Sequence, residues 1–136
     1  MNKIVLNFGL LLLVSGCCNL NSPMKPTYNN GGYTFKKYKT KSLLAEDSVI
    51  ISGKITDLNT NKPLVFSTLK LGCISQQTTS GGYKLNIRPF NVKSQLQAIP
   101  LGYLSVETEP FVSHSGDSIV IDFYVVKDES MIIDCN

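Results

Sequence analysis

The chain has 136 residues, of which 43% are hydrophobic and 17% charged, and its formal net charge is +3. This length suits one folded domain rather than two. Residues 25–41 contain five lysines and no acidic residue, whereas residues 48–136 contain seven basic and eight acidic residues, a net charge of −1. The excess positive charge therefore lies outside the folded part, which argues against a basic nucleic-acid-binding domain.

The first seventeen residues have the layout of a bacterial lipoprotein signal. After a positively charged start, residues 4–14 are mostly apolar, and the small residues Ser15 and Gly16 precede Cys17. The apolar run is too short for a membrane-spanning helix and is typical of a signal peptide. We expect residues 1–16 to be removed and the Cys17 sulfur to carry a diacylglycerol, so that the mature lipoprotein is anchored by acyl chains such as palmitate. This predicts a lipid-anchored protein of the cell envelope, at the outer membrane and facing the periplasm.

Residues 17–47 have the composition of a flexible tether. The first part is rich in Asn, Pro and Gly, which favour turns and disorder. Residues 33–39 interleave aromatic residues with lysines, which leaves two alternatives open: contact with an anionic lipid surface or polyanion, or a spacer partly ordered against the domain. Aromatic residues at near-alternate positions could also stack on sugar rings, or form an edge strand packed on the domain. These residues are Tyr28, Tyr33, Phe35 and Tyr38.

From residue 48 onward, apolar and polar residues alternate, which indicates half-buried strands. The first predicted strand runs through residues 49–55, and the second, from Val65 to Leu71, has Val65 inward and Phe66 outward. Further strands are predicted over residues 74–79, 83–87, 94–99, 103–109 and 118–126, and Ser80-Gly81-Gly82 predicts a hairpin turn. The last strand places four apolar side chains inward: Ile119, Ile121, Phe123 and Val125. About seven short strands predict an all-β fold, a single antiparallel β-sandwich over residues 48–136.

One family matches this pattern in its turns and glycines. Ile51-Ser52-Gly53-Lys54-Ile55-Thr56-Asp57, followed by Lys62-Pro63-Leu64, resembles the opening of the carboxypeptidase regulatory-like domain, which is a transthyretin-like sandwich. Thr78-Thr79-Ser80-Gly81-Gly82-Tyr83 and Leu101-Gly102-Tyr103 resemble later parts of the family pattern. The chain departs from the family where Val65-Phe66 replace small residues, and where the turn lacks the Asp that commonly precedes the glycine. The resemblance implies a non-catalytic accessory or interaction module.

Cysteine usage leaves one pairing open. With Cys17 acylated, Cys73 and Cys135 could form a disulfide in an exported protein. The alternative is that Cys73 is a small buried hydrophobic residue and Cys135 a free thiol. A single histidine, and no C-x-x-C pair outside the signal region, argue against zinc, so we predict no metal site and no cofactor.

Few polar residues could support catalysis. His114 lies in a loop-like Ser-His-Ser-Gly segment, and a Ser–His hydrolase would need a positioned nucleophile and a third group. Glu107 and Glu109 are two positions apart, so both point to one face of a strand, where solvent exposure is the simpler interpretation. We predict a non-enzymatic module that binds or scaffolds another envelope protein or a glycan. The alternative is a small envelope hydrolase or hydrolase inhibitor that uses His114 or the Glu107/Glu109 pair.

Overall fold

Two packed β-sheets make up the part of the chain that the computed structural model describes, residues 22–39 and 47–131. The strands are β1 (Lys25–Pro26), β2 (Gly32–Lys39), β3 (Val49–Asp57), β4 (Ser67–Leu71), β5 (Ile74–Thr78), β6 (Gly82–Ile87), β7 (Leu96–Pro100), β8 (Val106–Glu107) and β9 (Asp117–Val125), and a 3₁₀ turn follows at Glu129–Met131. The larger sheet has the order β1-β2-β9-β3-β6 and the smaller one the order β5-β4-β7-β8. The predicted all-β sandwich is confirmed. The predicted signal peptide and Cys17 lie outside the described residues.

The core lies between the sheets and is formed by alternate residues of each strand. All four inward residues predicted for β9 have no exposed surface, and on β3 the same is true of Val49, Ile51 and Ile55. The smaller sheet contributes Leu96 and Ala98 from β7. Burial of each large apolar side chain stabilises the fold by about 1.5–3 kcal/mol, so β3 and β9 contribute much of the stabilisation that comes from the core.

One strand pair differs from the predicted antiparallel arrangement. β3 and β9 are the two central strands of the larger sheet, and they run parallel, with Ile51 opposite Ile119 and Ile55 opposite Phe123. A parallel pair needs a long crossover connection, and the chain between these strands supplies it by building the smaller sheet on the way. The period-two pattern specifies which face of a strand is buried, but not the direction of its neighbour, so the sequence could not reveal this pair.

The sandwich begins earlier in the chain than residue 48. β2, which we predict to be part of a flexible tether, pairs with β9 along its whole length, from Gly32 opposite Tyr124 to Lys39 opposite Asp117. Tyr33 is only 3% exposed, and the ring of Phe35 packs edge-on against another aromatic ring at 5.3 Å. The tether assignment therefore does not hold for residues 25–39, and the edge-strand alternative for the aromatic segment is the one observed.

Gly53 marks a close approach in the middle of the larger sheet. The Tyr83 hydroxyl donates a 2.6 Å hydrogen bond to the Ile121 carbonyl, and the Lys54 N–H donates to Asp122 Oδ1 at 2.9 Å. These side chains bond main-chain groups at the point where β3 and β9 have no paired residues. Burial raises the pKa of Tyr83, so its hydroxyl stays protonated and can donate. A methyl group at Gly53 would overlap the Ile121 carbonyl, which explains the glycine.

Gly81 turns the chain from one sheet to the other rather than within a hairpin. β5 pairs with β4, whereas β6 pairs with β3 in the opposite sheet. Gly81 has a φ of +70°, and a Cβ atom there would lie 2.7 Å from the Pro63 Cβ. The hairpin prediction is therefore wrong, because a glycine turn signal gives the local backbone geometry but not the strand that pairs next.

Candidate functional site

His114 lies in the loop before β9, with its side chain 65% exposed. Its main-chain N–H donates a 2.7 Å hydrogen bond to Asp117 Oδ2, and its Nδ1 atom lies 3.7 Å from the same oxygen. The imidazole therefore lies beside the Asp117 carboxylate, but the closest side-chain contacts of that carboxylate are with two lysines. This arrangement fixes the loop at the start of β9.

Asp117 is the centre of a charge cluster at that end of the sandwich. Its carboxylate is fully buried, with Lys37 Nζ 2.8 Å from Oδ2 and Lys39 Nζ 2.7 Å from Oδ1. Burial alone raises the pKa of this carboxyl, but hydrogen bonds from Lys37, Lys39 and the His114 N–H outweigh it and lower the pKa to about 2. Both lysines also donate to main-chain carbonyls of residues 112–115 at 3.4 Å. Two lysines of the basic segment therefore attach β2 to this loop.

Glu107 and Glu109 point outward together, as their spacing predicts. Between them Thr108 is buried, and its Oγ1 accepts a 3.0 Å hydrogen bond from the Leu96 N–H. Glu109 forms an exposed 2.8 Å ion pair with Lys25, whereas Glu107 has no ion pair within the described residues. Both glutamates line one groove, and His114 is not among its lining residues, so the structure does not unite the three candidates.

This groove, which we name the edge groove, has a volume of about 370 Å³ and runs between the edges of the two sheets. β1 forms one wall, and residues 95–97 with β8 form the other. Tyr28 stands at the rim with 92% of its surface exposed, while the ring of Tyr33 is buried, with Lys25 Nζ 5.9 Å from its centroid. The charged and amide side chains that line it are Lys25, Gln95, Gln97, Glu107 and Glu109, and the hydroxyl-bearing residues Thr27, Ser105 and Thr108 line it as well.

The β1–β2 segment covers the β8 edge beside the groove. The Asn29 side-chain amide donates to the Ser105 carbonyl at 2.8 Å, and the Glu109 N–H donates to the Tyr33 hydroxyl oxygen at 2.9 Å. Both bonds satisfy main-chain groups of an edge segment, which would otherwise be open to another strand. The N-terminal strands therefore close this side of the sandwich and build the groove at the same time.

A second hollow, which we name the apolar cleft, lies where β4 begins and where β5 and β7 end, and it has a volume of about 510 Å³. None of its lining residues is charged, and the apolar ones include Phe66, Ile99, Leu101 and Tyr103. Phe66 is 64% exposed and Leu101 is 79% exposed, and the Leu101 N–H donates to the Phe66 carbonyl at 3.1 Å. Val65, which we predict to point inward, is 46% exposed, because β4 begins only at Ser67.

Asp57 holds one wall of the apolar cleft. The Tyr103 hydroxyl donates to Asp57 Oδ2 at 3.0 Å, and Oδ1 accepts the N–H groups of Asn59 and Thr60 at 2.8 and 3.1 Å. The bonds from Thr60 and Asn59 outweigh partial burial and lower the pKa of Asp57, whereas burial and the bond to Asp57 raise the pKa of Tyr103. Sequence reasoning missed this role, although Asp57-Leu58-Asn59-Thr60-Asn61 is a signal for a side-chain-stabilised turn.

Cys73 is exposed in the turn between β4 and β5. The alternative of a buried, hydrophobic Cys73 is therefore wrong, because the turn directs this side chain into solvent. Cys135 and Cys17 lie outside the described residues, so the Cys73–Cys135 disulfide and the lipidation of Cys17 stay predictions.

A comparison with protein-family models, curated proteins and solved structures finds no match. The resemblance to the carboxypeptidase regulatory-like domain therefore stays a prediction. In residues 22–39 and 47–131, no helix has the length and hydropathy to cross a membrane. Within the same ranges, no three His, Cys, Asp or Glu side chains are grouped as metal ligands would be.

Proposed function

We propose that this chain is a non-enzymatic binding module, anchored in the cell envelope by lipid on Cys17, and that its sandwich binds another envelope protein through the apolar cleft. The observation that carries this proposal is the exposure of Phe66 and Leu101 beside a cleft without charged residues. Exposed apolar residues grouped around a hollow mark interaction sites, whereas singly scattered ones do not.

The chemistry of the cleft defines the partner's contact segment. Burying Phe66 or Leu101 in an interface contributes about 1.5–3 kcal/mol each. A charged group entering the cleft would lose hydration without gaining a counter-charge, so we expect an uncharged segment with a large apolar side chain. Thr68, Gln77 and Thr78 line the same cleft and can hydrogen-bond the main chain of that segment.

Membrane anchoring complements a binding surface of this size. A single cleft buries less area than a stable protein–protein interface needs, so its intrinsic affinity is modest. Attachment to the same membrane as the partner raises the effective concentration and so compensates for that modest affinity. The signal-like segment ending at Cys17 supports this part of the proposal.

The roles of the polar side chains support a non-enzymatic function. Asp117 is engaged by Lys37 and Lys39, and Glu109 is paired with Lys25. The hydrolase alternative predicts loss of function in His114→Ala or in the Glu107→Gln/Glu109→Gln double variant. We expect both to retain partner binding at the wild-type level.

The partner contact can be tested by site-specific photo-cross-linking in intact envelopes. A photo-reactive phenylalanine analogue at Leu101 should yield one stoichiometric adduct, and Phe66→Ser in the same chain should abolish it. Val92, which is 74% exposed and does not line the cleft, is the matched site and should yield no such adduct. Identical adducts from both sites, or an adduct that survives Phe66→Ser, would contradict the proposal.

The anchor has a separate test with its own matched control. Cys17→Ser should remove the lipid mass and release the protein from the membrane fraction, whereas Cys18→Ser should change neither. Unchanged fractionation of Cys17→Ser would show that the anchor assignment is wrong.

A further inference from the structure

We infer that the edge groove binds a neutral glycan chain. The inference rests on the proposal that this chain is a binding module, but it does not depend on the apolar cleft. The ligand class and its binding location both differ from those proposed for the apolar cleft.

The side chains at the groove match the two kinds of surface that a sugar ring presents. The C–H face of a pyranose packs on an aromatic ring, and Tyr28 offers a ring that is 92% exposed at the rim. The hydroxyl edge of a sugar both donates and accepts hydrogen bonds. Gln97 and Glu107 lie opposite each other on β7 and β8 and together supply donors and acceptors.

The charges in the groove favour a neutral ligand over an acidic one. Lys25 is the only cation among the lining residues, and Glu109 neutralises it at 2.8 Å. Glu107 then leaves the groove with one negative charge, which repels uronic acids, sulfated sugars and phosphate-bearing polymers.

A peptide added as a strand fits this location poorly. Strand addition needs free main-chain groups on the sheet edge. Here the Ser105 carbonyl is bonded by Asn29 and the Glu109 N–H by Tyr33. Two main-chain groups at this edge are therefore already occupied, which favours a ligand that binds the side chains of the groove, as a sugar chain can.

The groove is formed before any ligand arrives. Three contacts join its two walls: the Lys25–Glu109 ion pair, the Asn29–Ser105 hydrogen bond and the Tyr33–Glu109 hydrogen bond. A preformed site spends little binding energy on ordering its own side chains. At about 370 Å³ the groove is within the size range of small-molecule sites, roughly 300–1,000 Å³.

The test uses the full lipidated protein in nanodiscs, applied to an array of neutral, sulfated and uronic-acid oligosaccharides. We expect binding to neutral oligosaccharides above all others, and titration calorimetry with the best of them then compares variants. Tyr28→Ala should weaken binding about tenfold, because ring stacking is lost, and Gln97→Ala should weaken it severalfold. Tyr38→Ala is the matched control, since Tyr38 is 52% exposed and does not line the groove, and it should bind like wild type.

Each outcome decides the inference. No oligosaccharide bound, a preference for acidic sugars, or equal affinity of the Tyr28→Ala variant would overturn it. If the protein instead binds a peptide, and Tyr28→Ala abolishes that binding, the groove binds a protein ligand and the glycan inference is wrong. If no sugar binds while the Leu101 cross-link persists, the glycan inference is wrong and the proposed function is retained. If sugar binds but the Leu101 cross-link is not found, the proposed protein partner is wrong.

Discussion

Replacing Gly53 by alanine adds one methyl group where the two central strands of the larger sheet lie closest. The new Cβ atom would overlap the Ile121 oxygen, and it would lie 2.6 Å from the Ile121 carbonyl carbon and 3.0 Å from the Tyr83 hydroxyl. Two of these atoms are main chain, and the hydroxyl is held by its own hydrogen bond to Ile121. None can move aside alone, so β3 and β9 have to separate.

The cost of that separation follows from two losses. Breaking the Tyr83–Ile121 hydrogen bond leaves a buried carbonyl without a partner, at about 1–3 kcal/mol. Forcing an extra methyl group into a packed region costs about 1–3 kcal/mol more. Alanine returns up to about 1 kcal/mol, because it restricts the unfolded chain more than glycine does. We therefore expect Gly53→Ala to lower the free energy of unfolding by about 1–5 kcal/mol, and Tyr83→Phe by about 1–3 kcal/mol.

Gly82→Ala is the matched control, because Gly82 lies on the neighbouring strand opposite Lys54. A methyl group there would meet only the Gly53 carbonyl, at an ordinary 3.7 Å. We expect no loss of stability there, and a gain of up to about 1 kcal/mol, because alanine restricts the unfolded chain in the same way. Urea unfolding followed by circular dichroism gives all three values by linear extrapolation. Equal midpoints for Gly53→Ala and Gly82→Ala would refute the close-approach argument.

Three further measurements test other parts of the structure. Because the pKa of the Asp117 carboxyl is about 2 in the folded protein, below its ordinary value of 3.8, its stabilisation of about 2 kcal/mol is present above pH 4 and lost as the pH falls towards 2. An Asp117→Asn variant should therefore show a shallower loss of stability in acid in pH-dependent urea unfolding, and an unchanged slope would contradict this. Replacing Lys37 and Lys39 together by methionine leaves that carboxylate buried and unpaired, so the free energy of unfolding at pH 7 should fall by about 3 kcal/mol and recover in part at pH 3; an equal loss at both pH values would point to lost packing instead. Labelling with a maleimide before and after reduction tests the Cys73–Cys135 disulfide, and labelling of Cys73 without reductant would rule it out.

The strands that the sequence revealed include apolar and polar ones. The four inward apolar residues of β9 all lie in the core, and the largely polar strand predicted over residues 74–79 is present as β5. β2 was predicted only as an alternative to the tether, because its inner face changes from aromatic residues to Lys37 and Lys39. Lysines are accepted there only because Asp117 is buried opposite them, and that partner is far away in the chain.

The binding surfaces could be predicted only in part. The outward direction of Glu107 and Glu109 followed from their spacing, but the groove between them and β1 depends on a contact across 84 positions, from Lys25 to Glu109. The apolar cleft depends on where β4 begins, and a shift of two residues turned Val65 from a predicted core residue into an exposed one. Strand boundaries and long-range contacts are the quantities that local pattern does not contain.

If Cys17 carries the proposed lipid, the pairing of β1 with β2 limits how far the sandwich can reach from a bilayer. Seven residues separate Cys17 from Lys25, where β1 begins, and the eight Cα–Cα steps that join the two cover at most about 28 Å. β1 runs in the same direction as β9, since both are antiparallel to β2, and it lies beside Gly32 and Tyr33, which pair with the last residues of β9. With lipid on Cys17, the start of β1 would stay within about 28 Å of the membrane, so the molecules that the sandwich could bind would be those held at the same membrane surface.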